Sequence, residues 1–189
     1  VMAKHRKQLR RGVRFAWWTG HETGIMVGST WYLDNFWSDM KQNCVAYMNC
    51  DSVGMRDTLW YAPTSMKETE RFHRDTIRDI LGEKELARVP ACDRPGKWGD
   101  QSFLGMGIPS LEGMTAYPPG KPILGEWYHS IEDTPDKVDL EALDKAMRMY
   151  AALVFRLCNS RVLPFEFVSV ANEFHARLTD LQDMAKTAF

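Results

Sequence analysis

The stretch that decides the fold runs Gly12-Val-Arg-Phe-Ala-Trp-Trp18, then Thr19-Gly-His-Glu-Thr-Gly24, then Gly28-Ser-Thr-Trp-Tyr-Leu-Asp-Asn-Phe-Trp37. The first run lacks polar alternation, which predicts a strand covered on both faces, and the last run predicts a helix. Glu22 lies in the turn between them, at the carboxyl end of a sheet strand, where open α/β sheets bind ligands. Charged turn residues are more often only solvated, so a general base at Glu22 is a hypothesis that the rest of the chain must support.

Strands and helices alternate through the following residues. The pattern predicts further strands at Val45–Cys50, Leu59–Ala62 and Leu86–Val89. Helices are predicted from Gly28 to about Lys41 and, after the capping-box pattern Ser65-Met-Lys-Glu68, to Leu81, where Gly82 ends the helix. The Gly- and Pro-rich stretch from 107 to 125 is typical of a long functional loop.

The carboxyl-terminal part of the chain is predicted to be helical. One long helix has a periodic apolar stripe, explained by core packing, at Leu140, Leu143, Met147, Tyr150, Ala151, Val154 and Cys158. A second amphipathic helix follows from about Ser169 to Lys186, with Val170, Phe174, Leu178 and Leu181 in register.

The composition is that of a globular protein. Of 189 residues, 44% are hydrophobic and 26% charged, and the net charge of −1 gives no reason to expect a nucleic-acid partner. No apolar stretch reaches the roughly 18 residues that span a bilayer. No signal-peptide pattern is visible, but this says nothing about secretion in a chain expected to lack its true amino terminus, so the localisation is left open with a weak lean to cytoplasmic. The four cysteines (Cys44, Cys50, Cys92 and Cys158) are expected to be mostly buried thiols.

Two later segments carry acids and a histidine in the same kind of setting as Glu22. Asn49-Cys-Asp51-Ser-Val-Gly54 ends an apolar run with a carboxylate, and His129-Ser-Ile-Glu-Asp-Thr134 precedes a helix start. Gly99-Asp-Gln-Ser-Phe103 comes shortly before Gly107-Ile-Pro109.

Taken in order, these segments resemble the catalytic domain of the co-catalytic zinc exopeptidases. This family includes bacterial leucyl aminopeptidases, glutamate carboxypeptidase and the non-enzymatic transferrin receptors. The resemblance implies an α/β fold of three α-β-α layers, in which helices flank a mostly parallel or mixed central sheet. A C-terminal helical tail would follow.

The resemblance also implies roles for individual residues. Glu22 matches the general base, while Asp51 and His129 match ligands of two zinc ions, which are expected in the complete domain. Asp100 is assigned to substrate contact or to support of the ligands, and Asp133 to orienting the His129 loop. Trp127 and Tyr128 are candidates for the wall of a pocket that takes an apolar side chain.

The sequence departs from the family pattern in two places. The upstream His-x-Asp segment, which supplies a ligand and a bridging carboxylate, has no match, so we expect the chain to lack the amino-terminal part of its domain. Thr23 occupies the slot of the zinc-binding glutamate, and threonine is not a usual zinc ligand. His21 is the alternative ligand in this turn.

The function expected from the resemblance is zinc-dependent exopeptidase activity, most simply that of an aminopeptidase. A metal-activated water, with Glu22 as base, would hydrolyse the peptide bond. The alternatives are a dipeptidase or carboxypeptidase of the same family, or a non-catalytic receptor-like or scaffold relative with a degraded metal site. Thr23 favours the last reading, whereas the retained Glu22, Asp51 and His129 argue against it.

The expected organisation is a partial catalytic domain over residues 1–163 and a helical appendage over residues 164–189. The expected partners are a peptide substrate and, through the C-terminal helices, a second copy of the chain.

Overall fold

The structure is a computed structural model that describes residues 2–18, 26–58, 60–89, 92, 94–96, 101–117, 121 and 124–188. Five helices and three strands occur in this part of the chain. They are α1 Val27–Asn43, β1 Tyr47–Asn49, β2 Trp60–Ser65, α2 Lys67–Leu81, α3 Glu83–Leu86, β3 Ser110–Ala116, α4 Leu140–Asn159 and α5 Phe167–Ala188. Short 3-10 helices occupy Met2–Gln8, Gln101–Met106 and Pro135–Lys137.

The sheet is mixed, as the sequence predicts. Its central strand β3 pairs in parallel with β1, where Asn49 lies opposite Glu112, and antiparallel with β2. The Tyr61 hydroxyl occupies the space that a side chain at Gly113 would need, so only glycine fits at that point of β3. The predicted fold class, a mixed sheet flanked by helices, is confirmed.

Neighbouring strand residues point to opposite faces of the sheet. Apolar residues on both faces pack against helices. On one face, Tyr61 and Leu111 pack against α2 and α4 in the larger core. On the other face, Tyr47 stacks on Phe103 with ring centroids 4.0 Å apart, beside Leu33 of α1. This is the layered packing of an α/β domain.

Three expectations about strands are wrong. Residues 110–116, expected to be an irregular loop, form β3, because the loop signal came from the Gly and Pro residues on either side. Leu86–Val89 is not a strand, since Glu83–Leu86 forms a helical turn and Val89 N–H donates to Leu86 O. Arg14–Trp18 lies outside the sheet, with Arg14 bonded to Asp39 of α1 at 3.0 Å.

The predicted capping box is also wrong. Met66 is the N-cap of α2, and Ser65 Oγ instead hydrogen-bonds His73 Nδ1 at 2.8 Å. The Nε2 atom of His73 lies 2.8 Å from the Tyr61 hydroxyl, so the buried ring is held at both nitrogens. Burial lowers the pKa of His73 to about 3, so the ring is neutral at physiological pH.

The long helix α4 buries a different face from the one predicted. Leu140 and Met147, expected in the core, are 77% and 55% exposed. The buried residues of this helix are Ala142, Ala146, Met149, Leu153, Leu157 and Cys158, of which Cys158 alone belongs to the predicted stripe.

The last helix, α5, keeps a largely exposed apolar stripe. It packs near its start against α2, where Glu166 N–H donates to Glu68 O at 2.9 Å. Beyond this contact the exposed residues include Phe174, Leu178 and Leu181, each at least 60% accessible. Across the described residues, no helix is both long and apolar enough to cross a bilayer.

The cysteines do not all follow the expectation of buried thiols. Cys92 and Cys158 are buried and Cys44 is half-buried, whereas Cys50 is exposed. Cys50 immediately follows β1, where the chain leaves the sheet toward Asp51.

Candidate functional site

Asp51 lies where the chain leaves β1 at the carboxyl end of that strand. Its side chain is half-buried, and the Ser52 hydroxyl donates to its Oδ1 at 3.2 Å. Ser52 has a positive φ of 48°, which turns the chain sharply after the carboxylate. The fold therefore places Asp51 at a strand end, as the motif predicts.

His129 lies at the tip of a tight turn before α4. Its own φ is 60°, and its exposed ring stacks on Tyr128 with centroids 3.7 Å apart. The turn is closed by Ser130, whose N–H and hydroxyl both donate to Trp127 O. Asp133, assigned to orienting this loop, is exposed, and its N–H donates to Ser130 O at 3.2 Å.

Left-handed backbone conformations are concentrated at the predicted site segments. Outside glycine, positive φ angles occur in the described residues at Met26, Ser52, Asp57 and His129. Met26 follows the Glu22 turn, and Ser52 follows Asp51. Such conformations cost of order 1–3 kcal/mol and are found preferentially at binding and catalytic sites.

Backbone contacts join the segment that follows Asp51 to the segment that follows His129. Met55 and Val138 form an isolated antiparallel bridge, and Arg56 N–H donates to Lys137 O at 2.8 Å. The N–H of Asp139 donates to Gly54 O at 2.9 Å. The two segments therefore run side by side.

Gly54 makes this close approach feasible. Its φ is +78°, and a Cβ built on it would come within 2.8 Å of Leu143 Cβ. The last glycine of the Asn-x-Asp-x-x-Gly motif is thus required by both backbone conformation and space. Gly54 and Met55 also donate their N–H groups to the Thr115 hydroxyl at 3.1 and 3.2 Å, which ties the segment to β3.

Several predicted site residues lie outside the described residues. These are His21, Glu22, Thr23 and Asp100, whose roles stay predictions. Of the described candidates, Asp51 and His129 offer a carboxylate and an imidazole, both donor types that zinc takes.

Those two donors do not complete a metal site. In the part of the chain that the structure describes, no group of three or more His, Cys, Asp or Glu side chains could hold a metal ion. Zinc sites in proteins use three or four protein ligands. Asp51 and His129 therefore fit zinc chemically, but only in the company of further ligands.

A buried polar network beside Asp51 was missed by the sequence reasoning. Glu112, in the middle of β3, is 3% exposed, and its carboxylate accepts from Asn49 Nδ2 at 2.9 Å and from the Thr64 hydroxyl at 3.4 Å. The Tyr150 hydroxyl donates to Asn49 O at 2.9 Å. The sequence contains one signal of this network, the acid Glu112 within a run that forms a strand. The loop predicted for residues 107–125 conflicts with that signal.

Comparison with solved structures places this fold among the aminopeptidases. The aminopeptidase from Aneurinibacillus sp. strain AM-1 is similar with a TM-score of 0.56 and 21% identity, over 78% of this chain and 34% of that one. BSAP, a zinc aminopeptidase from Bacillus subtilis, is similar with a TM-score of 0.58 and 18% identity, over 74% of this chain and 34% of that one. At such identities the likeness establishes the fold.

Sequence comparison gives the family. The model of peptidase family M28 matches residues 1–154, so the chain belongs to peptidase family M28 and the resemblance inferred from the motifs is confirmed. An aminopeptidase of Pseudomonas aeruginosa strain UCBPP-PA14 is 48% identical over 42 residues, or 22% of this chain and 8% of that protein. The chain therefore spans about a third of the solved structures it matches and less than a tenth of that relative.

Proposed function

We propose that the protein acts as a zinc-dependent exopeptidase of the aminopeptidase type. Membership of peptidase family M28 is the observation that carries this proposal. The aminopeptidase fold supports it. So does the position of Asp51 at a strand end, because the segment that follows Asp51 runs beside the segment that follows His129.

The proposed roles follow from the residue types. Asp51 and His129 would supply donors for zinc, together with ligands from outside the described residues. When bound, zinc supplies a Lewis acid for the peptide carbonyl and lowers the pKa of water. Glu22 would take the proton of the attacking water and pass it to the leaving amine. Trp127 and Tyr128 would border the space for the substrate side chain.

We further propose that residues 1–163 form the carboxyl-terminal part of the catalytic domain, with residues 164–189 as a helical appendage. An exposed aromatic surface on α1 and the segment before it supports this division, since it would pack against the rest of the domain. Its members are Phe15, Trp17, Trp31, Phe36 and Trp37, all at least 43% exposed. Phe15 lies beside Trp17 and Trp31 beside Phe36, with ring centroids 6.2 and 6.4 Å apart, so four of these exposed rings form two pairs.

Pairing between two copies through α5 is a separate proposal. Exposed Phe174, Leu178 and Leu181 follow one another at spacings of four and three residues, which puts them on one side of the helix. Buried against the same stripe of a second copy, they would form the apolar seam of an antiparallel or parallel helix pair.

A second candidate function is that of a non-catalytic relative with a degraded metal site. It is favoured by Thr23 in a ligand slot. A dipeptidase or carboxypeptidase would share the chemistry of an aminopeptidase and differ in which end of the substrate is recognised.

One experiment separates these functions. The full-length gene product is assayed on aminoacyl p-nitroanilides, on the same compounds N-acetylated, and on N-blocked and free dipeptides, with added zinc and with a chelator. An aminopeptidase requires the free amine, a carboxypeptidase cleaves the N-blocked peptide, and a dipeptidase needs both free ends. Glu22→Gln should retain zinc while turnover falls by about 10²–10⁴-fold, the usual scale for a lost general base. Absence of both hydrolysis and bound zinc would favour the scaffold relative.

A further inference from the structure

The side chain of Arg56 links the two segments that carry Asp51 and His129. Its guanidinium lies over the Trp127 ring, with Cζ 5.8 Å from the ring centroid. The Nη1 atom donates to Asp136 O at 3.2 Å and lies 3.6 Å from the Asp136 carboxylate. Arg56 follows Asp51 by five residues and contacts one residue before His129, Trp127, and one after it, Asp136.

The contacts of Arg56 belong to a larger arrangement around Trp127. Lys137 Nζ lies 5.9 Å from the same ring, so the half-buried indole has two cations near it. Lys137 also pairs with Asp136 at 2.6 Å, and this ion pair with the Thr134 hydroxyl lowers the pKa of Asp136 to about 2. Asp136 is therefore an anion at neutral pH and is available to Arg56.

We propose that Arg56 is a positioning residue: by holding Trp127 and Asp136, it fixes His129 relative to Asp51. The proposal rests on the function proposed above, in which those two side chains donate to the same metal centre. His129 is exposed at the tip of its turn, between the two residues that Arg56 contacts, Trp127 and Asp136. A guanidinium can hold an aromatic face and an acceptor at once, which a single backbone contact cannot do.

The backbone contacts between the segments provide the competing explanation. Arg56 N–H to Lys137 O and Asp139 N–H to Gly54 O remain possible in any Arg56 variant, because neither involves its side chain. If they alone set the geometry, removal of the guanidinium changes nothing at His129. Arg56→Ala therefore tests the side chain without removing these bonds.

The first measurement is hydrogen exchange on the full-length gene product without added metal. We expect Arg56→Ala to speed exchange in residues 125–134 by about three- to tenfold while α2 and α4 stay protected, and Arg56→Lys to restore much of the protection. Arg148→Ala is the matched control, because this arginine is 64% exposed and pairs with Asp144 within α4. Unchanged exchange in 125–134, or faster exchange throughout the fold, would overturn the proposal.

A spectroscopic double-mutant cycle gives an independent measurement. Arg56→Ala should change the tryptophan emission of the protein that contains Trp127. The same substitution should have no effect on the emission of Trp127→Phe. A change of equal size in both backgrounds would show that Arg56 acts elsewhere and would contradict the proposal.

Zinc affinity connects this inference to the proposed function. By competition with a chromogenic chelator, Arg56→Ala should bind zinc about three- to tenfold more weakly, less than the 10–100-fold typical of direct partners of metal ligands. Equal affinity in wild type and variant overturns the positioning role. If the wild type binds no zinc, the proposed function fails, while exchange and emission still decide whether Arg56 couples the two segments.

Discussion

The side-chain amide of Asn49 donates a 2.9 Å hydrogen bond to the carboxylate of Glu112, across the parallel strands β1 and β3. Both residues are buried, at 7% and 3% exposed. Asn49 is the last residue of β1 and precedes Asp51 by two residues, so this bond fixes the end of β1 to the central strand β3. Buried polar groups of this kind are costly to leave unpaired.

Asn49→Ala should therefore destabilise the fold by about 1–3 kcal/mol, because it removes a donor from a buried carboxylate. Urea unfolding followed by circular dichroism measures the change. Asn35→Ala is the control, since Asn35 is exposed and its amide donates to Trp31 O within its own helix. Its effect should stay within about 0.5 kcal/mol. Equal effects from the two variants would mean that the Glu112 contact contributes nothing.

Because His73 is buried in its neutral form, we expect the free energy of unfolding to decrease in mild acid. Burial depresses its pKa to about 3 in the folded protein, against about 6.5 when unfolded, so below pH 6.5 the unfolded chain binds a proton that the fold excludes. The contribution of neutral His73 is complete above pH 6.5 and declines as the pH falls toward 3. Between pH 6.5 and 5 the loss should be about 2 kcal/mol.

The measurement is the free energy of unfolding in urea at several pH values. His73→Gln should flatten the decline between pH 6.5 and 5, whatever its effect at neutral pH. His5→Gln, at an exposed position, should leave the decline as in wild type. A decline that persists unchanged in His73→Gln would assign it to other groups.

Gly54 should tolerate alanine poorly for two separable reasons. Its φ of +78° strains any side chain, and an added Cβ would meet Leu143 at 2.8 Å. Gly82 has a φ of +92° but open space around it, so Gly82→Ala carries the conformational cost alone. We expect about 1 kcal/mol for Gly82→Ala and about 2–4 kcal/mol for Gly54→Ala, measured by thermal or urea unfolding. Similar losses in the two variants would show that Leu143 moves aside at little cost.

The stripe on α5 gives a prediction about association. If two copies pair through it, Leu178→Glu should weaken the dimer by at least about tenfold in Kd, because a charge replaces a buried apolar side chain. Sedimentation equilibrium over a concentration series measures the change. Ala176→Glu adds the same charge on the opposite side of α5, where Ala176 is exposed, and should leave association intact. A wild-type protein that stays monomeric at every concentration contradicts the pairing.

Local patterns along the chain predicted the helices well and the third strand badly. The predicted bounds of α1, α2 and α4 agree with the structure to within a few residues, because helix periodicity and the Gly82 stop of α2 are local properties of the sequence. Strand β3 was missed because its flanks are rich in Gly and Pro, and only long-range pairing with β1 and β2 reveals its role.

Burial followed tertiary contacts more than the sequence pattern. α4 is apolar on most of its circumference, so periodicity alone admits more than one inner face. Packing against Tyr61 and Leu111 of the sheet selects the face with Met149, Leu153 and Leu157. The motif residues Asp51 and His129 could be placed at a strand end and a turn from sequence. The arginine that joins their segments could not, because nothing in the sequence pairs Arg56 with Trp127.

The last prediction concerns the turn that holds Glu22, and it uses zinc affinity of the full-length gene product. If Thr23 occupies the slot of a zinc-binding glutamate, the zinc on the His129 side lacks one protein ligand and is the weaker of the two. Thr23→Glu should then tighten this zinc, because a carboxylate replaces water or a neutral hydroxyl.

If His21 already fills the position, the two variants behave in the opposite way. Thr23→Glu should change zinc affinity little, whereas His21→Ala should lower it by about 10-fold or more, as expected for a lost ligand. His175→Ala is the control for histidine removal, since His175 is exposed on α5. Competition with a chelator of known affinity resolves both variants on one scale. Should neither substitution alter zinc affinity, the turn does not face the metals, and the assignment of Glu22 as general base loses the alignment on which it depends.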